Sequence, residues 1–138
     1  MNNELIIESV NNLIKIFGTR DPFIIAEKIG INVQFREYSK NIKGYCNSTY
    51  GDINIIINSS YNKTAQKIIC AHELGHAILH VDKFDDIFSA SFQKYKIDAL
   101  EHQANIFAAA LLLKEDDLEV EVSRMSNYLI MGIFDDYL

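Results

Sequence analysis

Two histidines and a glutamate in the pattern His-Glu-x-x-His are the residues of this chain best suited to chemistry. They are His72, Glu73 and His76, within the stretch CAHELGHAILH at residues 70–80. In an α-helix of about 3.6 residues per turn, side chains four positions apart are neighbours, so both imidazoles can bind one ion. Glu73 lies beside the pair, where its carboxylate can take a proton from a metal-bound water. The spacing predicts a metal-dependent hydrolase with two histidine ligands and Glu73 as the general base.

A catalytic zinc site usually has three protein ligands and leaves one position for water. His80 follows the motif, but it lies about 12 Å along the helix from His72, because each residue adds about 1.5 Å. At zinc–nitrogen bonds of about 2.0 to 2.1 Å, one ion cannot bind His80 together with both upstream histidines unless the helix breaks. We therefore predict that His80 is not a ligand, and that it either lies at the helix end or contacts the site without binding the metal.

Glu101 is predicted to be the third metal ligand. It interrupts the apolar face of the helix that follows the motif, and a carboxylate that faces a core needs a partner. A metal on the facing helix provides one, and the alternatives are an internal salt bridge or an exposed rim position. Asn105 lies one turn later on nearly the same face, and is predicted either to orient a ligand by a hydrogen bond or to serve local packing.

These side chains have to be positioned by an α+β fold. Apolar spacing, capping residues and turn residues predict helices over 4–17, 22–29, 63–80 and 97–113, and strands over 31–35, 44–49 and 53–57. The expected architecture has N-terminal helices, a small three-stranded and mostly antiparallel sheet, the motif helix packed on a second ligand-bearing helix, and short C-terminal helices. We predict a single domain over 1–138, with its core in 20–113, a loop over 82–96 and a helical segment over 114–138.

One strand is polar enough to lie at an edge of the sheet, and it contains Tyr45, Cys46 and Asn47. The free backbone groups of an edge strand can bind an extended peptide as an additional strand, here over the metal. The residue that stabilises the developing oxyanion is left open by the sequence. The candidates are Tyr45, Tyr50, Tyr95 and His102.

Composition limits the classes of partner. The chain has 138 residues, of which 49% are hydrophobic, and a formal charge of -6, the opposite of the basic footprint of nucleic-acid-binding proteins. An acidic surface suits a basic protein partner instead. The N-terminus lacks the pattern of an export signal, and no apolar run approaches the roughly 20 residues that cross a bilayer. We predict a cytoplasmic protein in which Cys46 and Cys70 are free thiols.

Two blocks of the sequence resemble the ImmA/IrrE family of zinc metallopeptidases. The first is AHELGH with His80 following it, and the second is EHQANIFAAALL at residues 101–112. A looser resemblance covers 20–113. The resemblance implies Zn²⁺ held by His72, His76 and Glu101, with Glu73 as the general base. The chain departs from the family pattern at Lys114, where a proline is common.

Members of that family characteristically cleave a helix-turn-helix repressor encoded beside them, which switches on genes of a mobile element or a stress response. The resemblance therefore implies a DNA-binding repressor as the protein substrate. Two other functions remain compatible with the residues: a zinc-containing module that sequesters a repressor with little or no proteolysis, and a metal-free helical interaction protein.

Overall fold

The computed structural model describes residues 1–84 and 98–136. The α-helices are α1 (Asn3–Phe17), α2 (Pro22–Ile29), α3 (Lys63–Leu79), α4 (Asp98–Leu112) and α5 (Asn127–Asp135). The strands are β1 (Asn32–Arg36), β2 (Gly44–Thr49) and β3 (Asp52–Asn58). Short 3-10 turns follow α3 at Val81–Lys83 and precede α5 at Glu115–Asp117 and Val122–Arg124. The predicted α+β class and the predicted elements are confirmed, whereas most of the predicted loop over 82–96 lies outside the described residues.

Local sequence explains where the helices begin. Asp21 accepts a hydrogen bond from the backbone amide of Phe23 at the start of α2, and Pro22 occupies the first helical position, where a missing N–H has no cost. Asn62 accepts from the amide of Ala65 and caps α3 in the same way. Within the described ranges, no helix is long and apolar enough to span a lipid bilayer.

The three strands form one sheet in the order β1-β3-β2. β3 pairs antiparallel with β2 and parallel with β1, so the sheet is mixed, with one pair of each kind. β2 lies at an edge, as predicted. Cys46, Ile55 and Ile57 are buried on the face toward α3, and Ile56 on the other face is also buried.

Two glycines let these elements approach α3 closely. A Cβ on Gly75 would lie 3.0 Å from the Cβ of Phe107 in α4, and a Cβ on Gly44 would lie 2.7 Å from the carbonyl oxygen of Ile56 and from a side-chain carbon of Ile69. Gly75 thus permits the close contact of α3 with α4, and Gly44 permits the contact of β2 with α3. These contacts place the polar side chains of α3 between a strand and a helix.

Candidate metal centre

Glu101 reaches from α4 to both motif histidines on α3. One carboxylate oxygen, Oε2, lies 3.1 Å from Nε2 of His72, and the other, Oε1, lies 3.1 Å from Nε2 of His76. His76 is 1% exposed, whereas His72 and Glu101 are 21% and 17% exposed. The two imidazole rings meet edge to face, with their centroids 4.7 Å apart. Both histidines therefore present the same ring nitrogen to one carboxylate, at a site that opens to solvent on the His72 side.

The donor set fits a small divalent metal ion. In a tetrahedral centre with bonds of about 2.1 Å, ligand atoms lie about 3.4 Å from one another, and the observed nitrogen–oxygen separations are 3.1 Å. The two imidazoles and the carboxylate are thus close enough together to bind one ion. Imidazole nitrogen and carboxylate oxygen are also ligands that zinc accepts in proteins.

Candidate ligand atoms of His72, Glu73 and His76 are all within 4.8 Å of one another, a group that does not include Glu101. Distance to the histidines does not by itself show which of the two carboxylates, Glu73 or Glu101, would bind a metal. Hydrogen bonding does: Glu101 contacts both histidines, whereas in the part of the chain that the structure describes, the Glu73 carboxylate accepts only from the Cys46 thiol, at 3.4 Å. Glu73 is 7% exposed, so this carboxylate is shielded and sits beside the pair of rings.

The charges of the site favour a cation between the two helices. Burial acts to raise the pKa of Glu101, but hydrogen bonds to His72 and His76 and the charges of these rings outweigh it and hold the pKa well below its usual range. Burial acts to lower the pKa of His72, but the hydrogen bond to Glu101 and the charge of Glu101 outweigh burial, so the pKa of His72 is raised. The carboxylate is therefore ionised, and positive charge next to it is stabilised.

The Nδ1 atom of each motif histidine has a hydrogen-bond partner on the side of the ring away from Glu101. Nδ1 of His72 lies 2.7 Å from Oδ1 of Asn105, and Nδ1 of His76 lies 2.9 Å from Nδ1 of His80. His80 caps the C-terminal end of α3, and burial lowers its pKa. Both Nδ1 atoms are thus occupied by neighbours, and both Nε2 atoms point to Glu101.

The chain matches the peptidase family described as the IrrE N-terminal-like domain over residues 26–130, which include α3 and α4. It belongs to the ImmA/IrrE family of metallopeptidases. This ImmA/IrrE metallopeptidase is 35% identical over 111 residues to a protein of Bacillus phage phi105 named Uncharacterized immunity region protein 2, a match that covers 80% of this chain and 70% of the relative.

A second relative is Metallopeptidase ImmA of Bacillus subtilis strain 168. It is 30% identical to this family member over 110 residues, which cover 77% of this chain but only 62% of ImmA. The chain thus spans less than two thirds of ImmA. No solved structure matches the chain significantly.

In the edge strand of this ImmA/IrrE protein, the side chains of Tyr45, Cys46 and Asn47 all contact other residues of the chain. The Tyr45 hydroxyl lies 2.7 Å from the hydroxyl of Tyr38, and Asn47 accepts a hydrogen bond from Asn54 at 2.9 Å. Burial and the hydrogen bond to Tyr38 raise the pKa of Tyr45 to about 12. The Cys46 side chain points toward α3. Within the described residues, the backbone of β2 pairs with β3 along one of its sides.

The other oxyanion candidates differ in their positions. Tyr50 is fully exposed in the turn between β2 and β3, and Tyr95 lies outside the described residues. His102 has a buried Nδ1 that finds no hydrogen-bond partner in the described parts of the chain. Among the described residues, neither Tyr50 nor His102 forms a hydrogen bond with His72, His76 or Glu101.

Sequence reasoning missed three contacts that support the site. Gln103 Oε1 lies 2.7 Å from Nε2 of His80, and Asn127 in α5 accepts a hydrogen bond from Asn105 at 2.6 Å. The Cys46 thiol donates to the backbone carbonyl of Glu73 at 3.1 Å. Strand alternation is a signal for the last contact, because it turns Cys46 away from its polar neighbours. Gln103 and Asn127 carry no spacing signal, since each is placed by contacts between separate helices.

Proposed function

We propose that this chain is a zinc-dependent endopeptidase in which His72, His76 and Glu101 hold the metal and Glu73 is the general base. The observation that carries the proposal is the Glu101 carboxylate, which lies 3.1 Å from Nε2 of both histidines in a member of a metallopeptidase family. The free, buried thiols of Cys46 and Cys70 agree with a cytoplasmic location.

Zinc held by these side chains supplies Lewis-acid chemistry, because it polarises a peptide carbonyl and lowers the pKa of water. Glu73 accepts a proton from the attacking water, whose oxygen forms a bond to the carbonyl carbon. The same carboxylate then returns the proton to the amide nitrogen as the carbon–nitrogen bond breaks. The Cys46 contacts to the carbonyl and carboxylate of Glu73 hold this side chain in place.

The substrate is proposed to be an extended segment of a protein that adds to the sheet at its β2 edge. Its backbone would pair with the strand that contains Tyr45, Cys46 and Asn47, since β-addition uses main-chain hydrogen bonds of an edge strand. Cys46 links this strand directly to Glu73. A peptide on this edge therefore lies next to the proposed base.

The proposed substrate is a DNA-binding repressor encoded nearby, in a phage or mobile-element context. The name of the phi105 relative refers to an immunity region, and the family resemblance points to helix-turn-helix repressors. The charge of -6 on the chain favours encounter with a basic protein of this kind.

The decisive experiment compares wild type, Glu73→Gln and the matched control Glu119→Gln on the neighbouring repressor. Glu119 is exposed on the segment after α4. Cleavage is followed by electrophoresis and mass spectrometry, and zinc content by elemental analysis. We expect Glu73→Gln to keep its zinc and to lose cleavage by about 10²- to 10⁴-fold, the range for a general base, while Glu119→Gln matches wild type. Stable binding of the repressor without cleavage by wild type would instead support the sequestering module.

A further inference from the structure

We propose that Gln103 and Asn127 are positioning residues of the metal site, and that each acts through a second side chain on one motif histidine. The inference rests on the proposed zinc site. It concerns which ring nitrogen of each histidine carries the hydrogen. We define two relays by their members: the Gln103 relay is Gln103, His80 and His76, and the Asn127 relay is Asn127, Asn105 and His72.

The Gln103 relay sets the hydrogen of His76 in two steps. Gln103 Oε1 lies 2.7 Å from Nε2 of His80, and a carbonyl oxygen can only accept, so His80 donates from Nε2. A neutral imidazole has one N–H, which leaves Nδ1 of His80 as an acceptor. Nδ1 of His76 lies 2.9 Å away and must donate. The relay therefore requires a hydrogen on Nδ1 of His76, so Nε2 is the nitrogen that would bind a metal in place of its hydrogen bond to Glu101.

The Asn127 relay reaches the same result for His72. The Asn105 amide nitrogen donates to Oδ1 of Asn127 at 2.6 Å, and this contact fixes which end of the Asn105 amide faces the site. Oδ1 of Asn105 is thereby turned to Nδ1 of His72, at 2.7 Å, and accepts its hydrogen. Asn127 is itself oriented by a weak contact of its amide nitrogen with the sulfur of Met131 at 3.7 Å.

Both relays start outside the motif helix, on α4 and α5, and both require a hydrogen on Nδ1 of the motif histidine. Each Nε2 lies 3.1 Å from a Glu101 oxygen, which can only accept, so a bound metal would take the place of the hydrogen in that contact. If the Asn105 amide turned round, its N–H would face Nδ1 of His72 and the ring hydrogen would move to Nε2, where it blocks metal binding. Outer partners of this kind typically change metal affinity by about 10- to 100-fold. A purely structural role for Asn127 would instead depend on side-chain shape, which leucine and aspartate preserve equally well.

This difference gives a test with matched variants of the full chain. Asn127→Leu and Gln103→Leu remove the acceptor, Asn127→Asp keeps it, and Asn11→Leu makes the same chemical change on the exposed face of α1. Zinc affinity is measured by competition with a chromophoric chelator. We expect about 10- to 100-fold weaker binding for the two relay leucine variants, and affinity close to wild type for Asn127→Asp and Asn11→Leu.

Nitrogen NMR of ¹⁵N-histidine-labelled protein supplies the second readout, because it identifies the protonated ring nitrogen directly. In zinc-loaded wild type we expect hydrogens on Nδ1 of His72 and His76 and on Nε2 of His80. A hydrogen on Nδ1 of His80 overturns the Gln103 relay, whether or not the variants fold. Relay variants that bind zinc as tightly as wild type overturn the proposal but leave the zinc site standing, whereas wild type that binds no zinc refutes the proposed function itself.

Discussion

Replacement of Gly75 by alanine sets two effects of opposite sign against each other. In an exposed helix interior, glycine to alanine stabilises a protein by about 1 kcal/mol, because alanine has the higher helix propensity. At Gly75, however, the new Cβ would lie 3.0, 3.1 and 3.2 Å from the Cβ, Cγ and Cδ1 atoms of Phe107. Favourable carbon–carbon contacts have separations of about 3.5 to 4.0 Å.

The clash should outweigh the gain in propensity. Phe107 is fully buried, so it cannot swing into solvent, and overpacking of a core typically costs about 1 to 3 kcal/mol. With the gain of about 1 kcal/mol subtracted, we expect Gly75→Ala to lower the free energy of unfolding by about 1 kcal/mol. The strain also pushes α4 from α3, so Glu101 moves away from the histidines and zinc affinity falls.

Gly132 provides the matched control, because a Cβ there would meet no heavy atom within 4 Å and the residue lies inside α5. Gly132→Ala should therefore raise the free energy of unfolding by about 1 kcal/mol. Urea denaturation of the metal-free proteins measures both values, and chelator competition measures zinc affinity. The reasoning is refuted if Gly75→Ala is stabilised as much as Gly132→Ala and binds zinc as wild type does.

Three further predictions follow from the site. Glu101→Gln should lose its zinc in elemental analysis while staying folded, and retention of zinc at the wild-type level would show that another group is the third ligand. The pKa of His72 is raised from 6.5, so its contribution to stability is complete below pH 6.5 and is lost as the pH rises through the folded-state pKa. The pKa of Glu101 is lowered from 4.5, so its contribution is complete above pH 4.5 and is lost only at lower pH. Denaturation of the metal-free protein should thus give greatest stability between pH 4.5 and 6.5, and a rise in stability above that window would contradict the assignment. Burial raises the pKa of the Cys46 and Cys70 thiols, so both should react with a disulfide reagent only after denaturant is added, and rapid reaction of the native protein would count against their placement in the core.

Much of the fold could be predicted from local sequence. The first residues of α2 and α3 follow from the capping residues Asp21 and Asn62, which act within a few positions. The burial of β3 follows from its three consecutive isoleucines. The parallel pairing of β1 with β3 could not be predicted in this way, because it depends on how the chain returns across the sheet. The sequence predicted a mostly antiparallel sheet, and the structure has one parallel and one antiparallel pair of strands.

In the candidate site, too, features set by local sequence could be predicted and contacts between separate elements could not. His72 and His76 share a helix face by spacing alone, and Glu101 stood out because it interrupts an apolar stripe; the structure brings all three together, and their roles as ligands stay predictions. Gln103 and Asn127 were not predicted because their contacts join different helices. Periodicity within one helix contains no information about which residue of another helix lies opposite.

The contact between β2 and the motif helix has a consequence for the choice of scissile bond. Cys46 contacts Glu73 directly, so a segment that pairs with β2 as proposed would be aligned by the same strand that positions the proposed base. Sliding such a segment by one residue turns every one of its side chains to the opposite face. Bonds two positions apart should therefore compete as alternative cut points, and the bond between them should be spared.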